Sequence, residues 1–68
     1  MKSAYKLIEK LTDGSYVFDV VIKDEEDDLA GQFAVSTITA NCNEERSADD
    51  LLDNLQLAGF FINESVYK

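Results

Sequence analysis

The sequence predicts a small α+β domain spanning residues 1–68, in the order β-β-β-α-β, with a mostly antiparallel sheet and one helix packed on one face. Three observations predict it. Apolar residues alternate on both sides of Asp13-Gly14, as in a strand hairpin. Ala48, Leu51, Leu52, Leu55 and Ala58 lie on one helical stripe. A chain of 68 residues suffices for one domain and leaves little for a second or for an enclosed cleft.

Asp13-Gly14 supplies the positive φ angles of a two-residue type I′ turn between strands at 4–12 and 15–23. That turn sets Leu11 opposite Tyr16, Leu7 opposite Val20 and Tyr5 opposite Ile22. Side chains alternate strictly along a strand, so this register sorts the whole hairpin. One face collects Tyr5, Leu7, Leu11, Phe18, Val20 and Ile22 for the core. The other carries Ile8, Val17 and Val21 among Lys6, Lys10, Asp19 and Lys23. A helix over residues 3–14 is the competing reading, but it strands the alternation of Tyr16, Phe18, Val20 and Ile22 without a partner.

Asp24-Glu25-Glu26-Asp27-Asp28 reads as a solvated acidic loop, since like charges repel and strands disfavour Asp. A third strand at 32–42 follows Gly31. Its apolar positions change parity between Val35 and Ile38, which predicts a β-bulge near Ser36-Thr37. Ser47, with Asp50 three residues on, resembles a capping box and starts a helix at 48–58. Its loss is expected to cost about 0.5–2 kcal/mol. Gly59 stands where a left-handed residue ends a helix. A continuous last strand at 60–67 puts Phe60, Ile62 and Val66 on one face and Phe61 and Tyr67 on the other. Phe33, Leu51, Leu52, Leu55 and Phe60 complete the expected core. The last strand fits beside the first as a parallel pair, in spatial order 3-2-1-4.

Fourteen acidic residues stand against six basic ones, a formal charge of −8. Residues 24–53 hold ten acids and only Arg46, so the whole excess falls in the middle of the chain. Phosphate binding rests on Lys and Arg, which argues against direct contact with nucleic acid or an anionic membrane. No segment reaches the length of a membrane-spanning helix, and the first residues show no signal-peptide pattern. With the single cysteine, Cys42, this predicts a cytoplasmic protein without an internal disulfide.

The residue inventory argues against catalysis. There is no histidine, which removes the commonest general base and metal ligand. Cys42 is flanked by acids that disfavour a thiolate. The three glycines form no phosphate-binding pattern. A calcium loop begun at Asp24 requires Gly at its sixth position and Glu at its twelfth, where Leu29 and Val35 stand. The sequence therefore predicts a non-enzyme without a cofactor or metal.

The expected function is binding. Asp24, Glu25, Glu26, Asp27 and Asp28, with Glu44, Glu45, Asp49 and Asp53, are expected to form an acidic surface that imitates a nucleic-acid backbone. It would dock on a basic, nucleic-acid-binding surface of a partner protein, as a regulator or inhibitor of the kind phages encode. Ile8, Val17 and Val21 are the expected apolar contact. The alternative is a homodimeric accessory protein whose acidity serves solubility. No motif is specific enough to carry a family name.

Overall fold

The structure, a computed structural model, describes residues 1–27 and 33–68. Asp28, Gly31 and the side chains of Glu26, Asp27 and Phe33 lie outside what is described. The elements are β1 (Lys2–Lys10), β2 (Tyr16–Asp27), β3 (Phe33–Ala40), α1 (Glu45–Leu57), β4 (Phe61–Ile62) and β5 (Val66–Tyr67). The sheet runs β3-β2-β1-β4, with β5 also on β1. β1, β2 and β3 form an antiparallel meander, and β4 and β5 lie parallel to β1. The α+β class and the 3-2-1-4 order are as the sequence predicts.

The hairpin register is one residue away from the expected one. Leu11 and Ser15 close the turn through Leu11 N–H to the Ser15 carbonyl at 2.7 Å. Three residues, Thr12, Asp13 and Gly14, form the loop. Gly14 N–H bonds back to the Leu11 carbonyl at 3.0 Å, and Gly14 alone in the loop takes a positive φ, +88°. This is a type I turn followed by a left-handed glycine bulge, the usual three-residue hairpin loop. The Asp13 carboxylate accepts hydrogen bonds from the Ser15 hydroxyl (2.5 Å) and N–H (2.9 Å), which pulls its pKa below the usual range. These bonds hold the longer loop in place.

A one-residue shift exchanges the faces of β1. Ile8 now pairs with Phe18, Lys6 with Val20 and Ala4 with Ile22. These residues face α1. Ala4, Val20 and Ala48 are fully buried together. Phe18, Ile22, Ala40, Cys42, Leu51, Leu52, Leu55 and Ile62 pack around them. Two of the three central residues are alanines, so the helix approaches the sheet closely. Tyr5 and Leu7 sit half-buried on the opposite face, and Leu11 is exposed, so these three leave the expected core. Phe60 is half-buried at the rim, with the Lys2 ammonium 5.8 Å from its ring centroid.

The acidic run is strand, not loop, as far as Asp27. Asp24 pairs with Ser36 and Asp27 with Phe33, and Glu25 N–H bonds to the Met1 carbonyl at 2.9 Å. Alternation relieves the repulsion that a loop was expected to relieve, because neighbouring acids point to opposite faces. The β2–β3 register is continuous from Val20–Ala40 to Asp27–Phe33, so no bulge occurs at Ser36-Thr37. The change of parity in β3 means instead that Val35 and Ile38 face opposite sides, and both are exposed.

α1 begins at Glu45, with Glu44 extended as its N-cap and no side-chain capping bond. Ser47 lies inside the first turn and is not the cap. The end is as expected. Gly59 has φ +99°, its N–H bonds to the Gln56 carbonyl (3.0 Å), and Phe60 N–H bonds to the Leu55 carbonyl (3.0 Å). These two bonds make a Schellman motif.

The last strand is broken in two. Between Ile62 and Val66 the chain advances four residues, while β1 advances three, from Ala4 to Leu7. The extra residue reverses the facing, so Val66 joins Phe61 on the side away from the helix, and Tyr67 joins the helix side. The register and the cap are both testable by urea unfolding. Ile8→Ala should cost about 2–5 kcal/mol and Leu11→Ala less than about 1 kcal/mol. Ser47→Ala should stay within about 0.5 kcal/mol of wild type.

Candidate functional site

Strand alternation and the helix together sort the charged residues into three settings. The first is a clamp. Lys6 points from the middle of β1 toward α1, with its side chain only 13% exposed. Its ammonium donates to Asp49 Oδ1 at 2.9 Å and Glu45 Oε2 at 3.2 Å. Glu45 and Asp49 are four residues apart, so one lysine reaches both. The Asp49 hydrogen bond raises the Lys6 pKa above its ordinary value; desolvation opposes this and Glu45 adds to the rise. The clamp also gives a physical reason for a helix that starts at Glu45. A bonded acid in the first turn suits the helix dipole and pairs with the half-buried lysine.

The second setting is the outer stripe of α1. Glu44, Asp50 and Asp53 are exposed. Among the described residues, none of the three has a cation within ion-pair distance. Leu57, four residues after Asp53, is 87% exposed on the same side of the helix.

The third setting is the sheet face away from the helix. It carries Tyr5, Leu7, Val17, Val35, Phe61 and Val66 with Glu9, Asp19, Lys23 and Glu25. Lys68 bonds Glu9 at 3.4 Å, and the Lys23 ammonium lies 5.8 Å from the Tyr5 ring centroid.

The residues singled out from sequence are not all brought together. Glu45, Asp49 and Asp53 share α1, with Glu44 at its N-cap, but Glu45 and Asp49 are held by Lys6. Asp24 lies on the helix side of β2 and Glu25 on the other, so the acidic run is not a single patch. One Asp24 carboxylate oxygen is shielded from solvent with no hydrogen-bond partner among the described residues. Ile8 is not a surface contact; it is 7% exposed, on the helix side of the sheet. Val17 and Val21 are on the open face as expected, but Val21, between Tyr5 of β1 and Thr39 of β3, is only 6% exposed. Sequence reasoning missed Lys6 as the partner of the first turn of the helix. A lysine between Ala4 and Ile8 on an otherwise apolar face was the available signal for that pairing.

Among the described residues, no group of three or more His, Cys, Asp or Glu side chains is placed to hold a metal ion, and no helix is long and apolar enough to cross a membrane. Cys42 is a free, half-buried thiol.

The clamp has a definite pH signature. A lysine whose folded pKa is raised contributes fully below its unfolded value, near 10.4, and loses that contribution as pH rises through the folded value. The stability of wild type relative to Lys6→Met should therefore be flat between about pH 7 and 9 and fall above about 10.4. Paired urea melts across that range measure it, and the half-exposed carboxylates keep the effect modest. No family model, no curated protein and no solved structure matches the chain.

Proposed function

We propose that the protein is a non-catalytic binding module, steered to a basic surface of a partner protein by the outer stripe of α1. The observation that supports this reading is the division of labour among the acids of α1 and its N-cap. Lys6 uses Glu45 and Asp49 for folding, whereas Glu44, Asp50 and Asp53 stay exposed and unpaired among the described residues. Acids that no folding contact uses raise the field outside the protein, in a chain whose net charge is already −8. Leu57 beside them supplies an apolar contact once charge has brought the surfaces together. A groove that binds a nucleic-acid backbone has the matching charge, and a module seated there acts as a regulator or inhibitor in the cytoplasm.

The test is capture of partners from host lysate on immobilised protein at low and high salt, followed by association kinetics. Replacing Glu44 with Gln and Asp50 and Asp53 with Asn should slow association about tenfold at low salt and flatten its salt dependence. Stability should change by less than about 0.5 kcal/mol, since the three side chains are exposed. Association that ignores both salt and the triple substitution would leave the acidity as a solubility device.

A further inference from the structure

The sheet has two edges, and they differ. The β4/β5 edge consists of two-residue pieces separated by an extra residue and followed by Lys68. Short strands, bulges and lysines are the devices by which sheets prevent pairing with another chain. The β3 edge has none of them. Phe33–Ala40 is eight residues long, with no charge, proline or glycine, and is paired only to β2 among the described strands. β1 and β2, by contrast, both carry acids and lysines. α1 packs on β1, β2 and β4 and does not reach β3. Ile38 is consequently 62% exposed, although it faces the helix side of the sheet.

We propose that β3 is the contact between two copies of this chain, which pair antiparallel about a two-fold axis near Thr37. The two sheets join into one, in the order β4-β1-β2-β3-β3-β2-β1-β4. Thr37 lies opposite Thr37 of the second copy, and Val35 opposite Thr39, so β-branched residues meet across the axis.

Charge selects both the occupant and the orientation. A basic foreign strand has no charge on β3 to recognise, whereas a second copy, itself at −8, can approach only where charge is absent. Antiparallel pairing sends the Asp24–Asp27 ends of the two β2 strands to opposite ends of the joined sheet; parallel pairing would set them side by side. The two helices share one face of the sheet but sit over β1 and β2, about 19 Å apart at about 4.8 Å per strand. That exceeds a Debye length of about 8–10 Å, so their repulsion is screened. The contact also closes. It uses the one unguarded edge of each copy and leaves the two guarded edges outside, so growth stops at two.

The test uses the full chain and does not depend on the acidic stripe. Sedimentation from micromolar to millimolar concentration should show a monomer–dimer equilibrium. Thr37→Lys and Thr37→Glu each place like charges across the axis and should weaken the dimer at least about tenfold, with circular dichroism unchanged. Mixing the two variants should restore the dimer, because opposite charges then meet. A chain that stays monomeric at millimolar concentration overturns the proposal. So does a dimer that neither substitution weakens, or one whose loss in both variants is not reversed on mixing.

Discussion

Gly14 holds a φ of +88°, which side chains with a Cβ rarely adopt, and this allows a three-residue loop where a two-residue turn was expected. The consequence reaches far beyond the loop. A hairpin with one more loop residue pairs Lys10 with Tyr16, and every residue of β1 is then matched to a partner of its own parity on β2. Ala4 and Ile8 thereby share the face of Phe18, Val20 and Ile22. The larger Tyr5 and Leu7 go to the other. The helix packs on the face where alanine lets it come close.

That choice of face sets the electrostatics. Lys6 shares the helix-side face with Ala4 and Ile8, so its side chain lies along the sheet and its ammonium reaches the first turn of the helix. Glu45 and Asp49 receive it there, in a pair still open to solvent and therefore of modest strength. The helix is therefore held at its N-terminal end by ion pairs and along its length by Ala48, Leu51, Leu52 and Leu55. Its other end is closed by the Gly59 motif. Among the described residues Val20 is the largest fully buried side chain, so the apolar core of this small domain is thin.

Charge and hydrogen-bonding capacity end up in different places. Among the described residues, the acids without a cation partner lie at the N-cap and on the outer side of α1. The edge of β3 that pairs with no described strand lies in a segment without charge. The proposed attraction for a basic surface and the proposed strand addition therefore rest on different parts of one small fold.

Sequence alone determined the order of the first four elements, the helix with its Gly59 terminus, the antiparallel meander and the place of the last strand segment beside the first, but not its break into β4 and β5. These follow from local periodicity, turn chemistry and crossover geometry, which are written in neighbouring residues. It also located the acidic excess in residues 24–53 and Val17 on the open face. Tertiary structure alone decided the facing of β1, the burial of Ile8 and Val21, the strand state of Asp24–Asp27 and the role of Lys6. Facing depends on parity, and one loop residue more or less reverses it without altering the hydrophobic pattern from which it is read. The state of the acidic run depends on a partner strand, because pairing with β3 sends adjacent carboxylates to opposite faces. The partner of Lys6 is 39 and 43 residues away in the chain, at Glu45 and Asp49, and only the packing of α1 on β1 brings those charges together.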